Sequence, residues 1–252
     1  SRFAAGIDRL NTFSRVLAAE PTCRARSPSL IESAQGDHLA LEHVTLMTPG
    51  GERTLVKNLS VAIPPGAGLL IVGESGSGKS SLLRAVAGLW YCGSGRIVRP
   101  RPEDILFLPQ QPYMILGTLR SQLLYPQQER PVPDAELLRL LERVNLPDVA
   151  ERFGGLDAER DWEKVLSIGE QQRLAFARVL LTRPRYAMLD EATSALDAAN
   201  EESLYRQLAA TQTTLVSIAH RASILKYHRQ VLELCGEGEW QLHPAEGYDF
   251  RH

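Results

Sequence analysis

The sequence predicts an α/β fold, a largely parallel sheet covered by helices on both faces, and three observations predict it. The apolar run Leu69-Leu70-Ile71-Val72 leads into a glycine-rich loop, Gly73-Glu74-Ser75-Gly76-Ser77-Gly78, and then into helical periodicity at Leu82, Leu83, Val86 and Leu89. A second buried run, Tyr186 to Leu189, ends in the paired carboxylates Asp190 and Glu191. Beyond it, strand and helix patterns alternate: a helix over 201–209, a strand over 214–219 and a further strand over 231–234.

The elements follow in order. Phe3, Ile7, Leu10, Phe13 and Leu17 stand at helical spacing. They read either as the last turns of a helix emerging from something upstream or as an N-terminal helix packed on its own domain. Residues 20–37, with Pro21, Pro28 and several serines, read as a linker, so 1–37 forms the approach to a domain spanning 38–236. Leu39–Met47 and Leu55–Ile63 read as strands around the Pro49-Gly50-Gly51 turn, and Ile105–Leu108 as another strand. Gly93-Ser94-Gly95 is expected to end the helix that follows the loop. From about 117 to 168 the pattern turns helical, with Leu137, Leu140, Leu141 and Val144 periodic and Pro126, Pro131, Pro133 and Pro147 as breaks. This segment is expected to be an inserted helical subdomain, and 237–252 a polar tail.

The loop carries the first chemistry. A strand, a glycine loop and a helix start point successive backbone N–H groups at one anion, so the chain is expected to bind a nucleoside triphosphate. Gly73, Gly76 and Gly78 admit close phosphate approach, and Glu74, Ser75 and Ser77 supply backbone between them. Lys79 can reach the β- and γ-phosphates, the Ser80 hydroxyl suits Mg²⁺, and Ser81 follows on the helix. Asp190 and Glu191 fit a metal partner and a water-orienting base, or else a solvated turn or helix cap. Ser167 with Glu170 three positions on reads as a capping box opening a helix through Leu174, Phe176, Val179 and Leu180.

In combination, Leu166-Ser167-Ile168-Gly169-Glu170-Gln171-Gln172-Arg173 resembles the signature motif of ATP-binding cassette proteins, and the resemblance extends over 39–235. Gln110 in Leu108-Pro109-Gln110-Gln111-Pro112 resembles the Q-loop, Ser194-Ala195-Leu196-Asp197 the D-loop, and His220 in Ala219-His220-Arg221 the switch histidine. Gly88-Leu89-Trp90 and the run from Leu108 to Met114 are similar to the branch of peroxisomal fatty-acyl half-transporters and bacterial relatives of the YddA and SbmA/BacA type.

The resemblance implies a P-loop NTPase fold: a RecA-like core with an antiparallel β subdomain and the inserted helical subdomain. It implies ATP and Mg²⁺ as cofactors, with Glu191 as the water-activating base. Lys79, His220 and Gln110 would act in catalysis, and Ser80, Gln110 and Asp190 at the metal. Residues 73–81 would hold the phosphates, joined across a homodimer by Ser167, Gly169 and Glu170 of the other copy. The expected setting is a fused transmembrane domain, N-terminal on the same polypeptide, at the cytoplasmic face of a bacterial inner membrane. The triplet Tyr113, Met114 and Leu116 is either a contact for that domain or core.

Three departures from the family stand out, one of them Glu170 at the usual glutamine position of the signature. Thr48 occupies the position where many exporters carry an adenine-stacking tyrosine, and Ile168 stands where the signature more commonly has glycine. Composition narrows the classes further. A formal net charge of −2 over 252 residues offers no electrostatic reason to expect nucleic acid, and no module for it is visible, which disfavours a soluble cassette ATPase of nucleic-acid maintenance. Cys23, Cys92 and Cys235 lack a paired spacing, so neither a zinc site nor a disulfide framework is expected. His228, His243 and His252 are expected to be ordinary surface or tail residues.

Overall fold

The computed structural model describes residues 30–250; the expected N-terminal helix, Cys23 and His252 lie outside the described residues. The chain runs through β1 (Glu32–Gln35), β2 (Leu39–Met47), β3 (Thr54–Ile63), β4 (Leu69–Gly73), α1 (Lys79–Val86), β5 (Gly93–Arg99) and β6 (Ile105–Leu108). Next come β7 (Gly117–Thr118), α2 (Leu119–Leu124), α3 (Asp134–Arg143), α4 (Val149–Phe153), β8 (Glu159–Arg160), α5 (Trp162–Val165) and α6 (Ile168–Thr182). The last are β9 (Tyr186–Asp190), α7 (Ala198–Ala210), β10 (Thr214–Ile218), β11 (Gln230–Gly236) and β12 (Glu239–Pro244).

Two sheets frame the molecule. The larger has six strands in the order β12-β11-β4-β10-β9-β6, parallel except for β12. Its central strands are buried on both faces because helices cover both: every residue of β9 and β10 is buried, as are Leu69 to Val72 of β4. The carboxyl ends of β4 and β9 therefore deliver the phosphate loop and the Asp190-Glu191 pair to one edge, where open α/β sheets bind ligands. The smaller sheet, β1-β5-β2-β3, is antiparallel apart from the β1 and β5 pair. Between β6 and α6 lies the helical insertion, closed at its base by the short β7 and β8 ladder.

The long helix α6 is buried along nearly its whole length, from Gln171 to Leu181. Its polar side chains must consequently find partners inside the protein. Gln171 donates to the carbonyls of Glu163 and Leu166, and Arg178 donates to those of Gln122 and Tyr113 at 2.6 and 2.7 Å. The helix thereby pins the insertion to the parallel core.

Several expectations are corrected. Gly93-Ser94-Gly95 does not end the helix, which stops at Val86; it opens β5. A Cβ at Gly93 would sit 1.8 Å from the Thr45 carbonyl oxygen, and one at Gly95 2.3 Å from that of His43, so these glycines serve close strand approach. Within the expected linker, residues 32–35 form β1 on the edge of the smaller sheet. The expected polar tail contains β12, an antiparallel edge strand whose Trp240 and Leu242 pack on the core. Cys92 is in a disulfide, contrary to expectation. Leu30 forms an antiparallel bridge with Cys92, a proximity that sequence spacing does not reveal. His228 is buried, at 7% exposure, between Ile224 and Ser217. Of the apolar triplet, Leu116 is exposed at 51%, Met114 packs on the core, and the Tyr113 ring lies 5.6 Å from that of Tyr125.

Candidate functional site

The phosphate loop joins β4 to α1 in the order the sequence predicts. Gly76 and Gly78 take left-handed φ values of 78° and 97°, which side chains with a Cβ rarely adopt. A Cβ at Gly73 would meet the Leu234 carbonyl oxygen at 2.7 Å and the Ser77 hydroxyl at 2.8 Å. The start of α1 has no side-chain cap and no acidic residue in its first turn, leaving its N–H groups and positive dipole end open to an anion. The buried Ser77 hydroxyl likewise has no hydrogen-bond partner. A cradle with unmatched donors fits polyphosphate.

Lys79 donates to the carbonyls of Gly73 and Glu74 at 2.6 and 2.9 Å, holding the loop closed around its own cation. Burial lowers the Lys79 pKa, and the charges of Glu191 and Asp190 act in the opposite direction. Ser80 donates to a carboxylate oxygen of Asp190 at 3.0 Å, so the loop and the end of β9 meet at two oxygen donors. Burial raises the Asp190 pKa, opposed chiefly by that Ser80 hydrogen bond. A hydroxyl and a carboxylate suit a hard cation such as Mg²⁺. No cluster of three or more His, Cys, Asp or Glu side chains forms a metal site among the described residues.

Glu191 leaves β9 with φ 49°, held by its N–H to the Ile218 carbonyl at 3.0 Å. That left-handed turn aims its carboxylate at His220, whose Nε2 lies 2.7 Å from Oε1. Glu191, His220, Gly73, Lys79 and Ser80 line one cavity of about 560 Å³. Thr48, Leu55 and Trp90, from the other sheet and the turn after α1, complete its wall.

The remaining expected site residues lie elsewhere. Gln110 does not line the cavity; its amide donates to the Ser194 hydroxyl at 3.3 Å. Ser167, Gly169 and Glu170 open α6 on the insertion and are absent from the cavity wall. The capping box is present in full: the Ser167 side chain accepts from the Glu170 N–H at 3.1 Å, and the Glu170 carboxylate accepts from the Ser167 N–H at 3.0 Å. Burial pushes the Glu170 pKa up, but the Ser167 N–H and the Arg152 guanidinium outweigh it and the net shift is downward.

Four residues near the site escaped sequence reasoning. Trp90 stood out only as part of a family-like run, and Leu55 only as a strand residue. Gln172 is buried in α6 and bridges the Gln110 and Ser194 loops. Arg221 donates to the Leu196 carbonyl at 2.9 Å and pairs with the buried Glu201 at 3.3 Å, tying the segment after His220 to the Ser194 loop. These are contacts between elements distant in sequence, and no local pattern announces them.

Comparison with known proteins agrees with this geometry. Residues 56–194 match the family model described as ABC transporter. An uncharacterized ABC transporter ATP-binding protein of Synechocystis is 53% identical over 97% of this chain and 38% of its own length. The ABC transporter D family member 2, chloroplastic, of Arabidopsis thaliana is 38% identical over 99% of this chain and 46% of its own length. The lysosomal cobalamin transporter of Homo sapiens is 44% identical over 80% of this chain and 35% of its own length. The chain thus spans less than half of each of these relatives. Among solved structures, a bacterial Atm1-family ABC exporter with ATP bound superposes with a TM-score of 0.71 at 25% identity, covering 87% of this chain and 41% of that one. With the phosphate loop, the carboxylate-bearing strand and the capped α6 all in place, the chain belongs to the ABC transporter family, whose ATP-binding ATPase domain it forms on the P-loop NTPase fold.

Proposed function

We propose that the chain binds and hydrolyses ATP as the motor of a half-transporter, pairing with a second copy of itself and driving a membrane domain that precedes it on the same polypeptide. The working site is the cytoplasmic face of a membrane, in a bacterium the inner one. The greater length of the relatives supports a further domain, and no helix among the described residues is long and apolar enough to cross a bilayer. The carrying observation is the single cavity in which Lys79 and Ser80 meet Glu191 and His220.

Each residue then has a task. The Gly73–Ser81 backbone and Lys79 hold the β- and γ-phosphates, with Lys79 leaving the Gly73 and Glu74 carbonyls to do so. Ser80 and Asp190 would hold Mg²⁺, and Gln110 would join them on moving away from Ser194. Bound there, Mg²⁺ neutralises charge on the phosphate oxygens. Glu191 accepts a proton from the attacking water; the His220 Nε2–H holds that carboxylate in line before ATP binds and then turns from it to donate toward the γ-phosphate oxygens.

Ser167, Gly169 and Glu170 cannot serve the cavity of their own chain while they open α6 outside its wall. In the proposed dimer they close on the γ-phosphate held by the partner copy. ATP then favours the closed pair, and loss of the γ-phosphate returns it toward open.

The test is a paired measurement of nucleotide binding and hydrolysis on the chain and on Lys79→Ala. The chain is expected to release ADP from ATP, and the variant to bind a fluorescent ATP analogue at least about tenfold more weakly, a loss of about 1.4 kcal/mol or more. Equal binding by the two would contradict the assignment of the loop.

A further inference from the structure

Building on the triphosphate reading above, we infer that the half-buried indole of Trp90 is the stacking platform for the nucleoside base, and that the base is held without readout of its polar edge. The cavity has two unlike walls. The parallel sheet side carries the phosphate loop, Glu191 and His220; the other side is formed by Thr48, Leu55 and Trp90. Phosphates fixed on the Lys79 loop leave the base to this second wall, which offers an aromatic ring, an isobutyl group and a threonine, with no charged or amide side chain.

The platform is fixed before any ligand arrives. The indole N–H donates to the Met47 carbonyl at 3.1 Å, anchoring the ring beside Thr48 at the end of β2. Its approach turn is clamped as well: Gly88 takes φ 86°, and the Leu89 N–H donates to the Arg84 carbonyl at 2.7 Å. Arg99 donates to the carbonyls of Ala85 and Val86 at 2.6 and 2.9 Å, capping α1 where the Trp90 turn begins. Across the wall, Thr48 is fixed too, its side-chain oxygen accepting from the Arg53 N–H at 3.2 Å while the Arg53 guanidinium donates to the Gly76 carbonyl at 2.9 Å. Leu55 stands between the two regions, its Cβ 3.0 Å from where a Gly78 Cβ would be. A rigid ring forfeits little conformational entropy on stacking, and every base offers a π-face. Trp90 thus supplies what Thr48 cannot.

Binding is read by titration of the full chain with ATP, GTP and inorganic tripolyphosphate, alongside Trp90→Ala and Trp90→Phe. Trp90→Ala is expected to weaken ATP and GTP about tenfold or more while tripolyphosphate stays within about twofold of the parent, and Trp90→Phe to keep most of the ATP affinity through its own ring. ATP is also expected to change the tryptophan emission of the parent but not of Trp90→Phe, which retains Trp162 and Trp240. ATP binding by Trp90→Ala at the parental level would overturn the inference, as would a discrimination between ATP and GTP beyond about tenfold, which demands edge readout. A parent that binds neither ATP nor tripolyphosphate would refute the phosphate-loop reading itself, a separate failure.

Discussion

The carboxamide of Gln172 donates to the Ser194 hydroxyl at 3.1 Å and to the Gln110 carbonyl at 2.8 Å, while its oxygen accepts from the Ala195 N–H at 2.9 Å. One fully buried side chain on α6 thus joins the two loops that border the site, and removing it strands a carbonyl and an N–H. Gln172→Leu is expected to lower kcat for ATP about tenfold, about 1.4 kcal/mol in the barrier, with nucleotide affinity unchanged. Steady-state kinetics beside a binding titration check this. A loss confined to affinity would contradict a positioning role.

Ser167 tests the composite arrangement. Ser167→Arg removes the N-cap acceptor of α6, costing about 1 kcal/mol of stability in a denaturant titration. It also puts a long side chain where the partner's nucleotide is proposed to sit. ATP turnover is expected to fall at least about tenfold beyond what the stability change explains, with binding to the Lys79 loop intact. Full turnover in the variant would refute the shared site.

His228 gives a pH dependence with a definite sign. Its Nδ1 faces the Ile224 carbonyl at 2.9 Å and so carries the proton, leaving Nε2 to accept from Ser217 at 2.8 Å. Tyr205 packs beside it, its ring 5.9 Å away, and burial lowers the His228 pKa from 6.5 to about 4. Between those values the unfolded chain binds the proton and the folded one refuses it, so this stability is complete above the unfolded pKa and is lost as pH falls toward 4. The loss is on the order of 3 kcal/mol. Urea midpoints from pH 7 to 4 should fall more steeply for the parent than for His228→Gln; parallel curves would refute the assignment.

Legibility in the sequence followed locality. The phosphate loop, the Asp190 strand and the Ser167 capping box were readable because each is a contiguous pattern with its own physical cause. Gly93 misled because a glycine needed for close approach to Thr45 looks, in one dimension, like a helix stop. Edge strand β1 escaped because the register of a partner strand fixes it while its own composition is polar, and β12 because its apolar alternation, Trp240 and Leu242, is only two residues long. His228 read as surface since burial of an isolated histidine depends on what packs over it. Trp90 and Gln172 join elements 43 and 62 positions away, at Met47 and Gln110, and no window sees both ends.

The central claim is that two copies close on ATP and that Glu191 ends that state. Glu191→Gln keeps the loop and the shape of the side chain but removes the base, so ATP should persist between the subunits. Sedimentation velocity of this variant with ATP and Mg²⁺ measures that directly. The account predicts a dimer that dissociates on exchange into ADP, whereas a nucleotide-loaded monomer, or turnover at the parental rate, would contradict it.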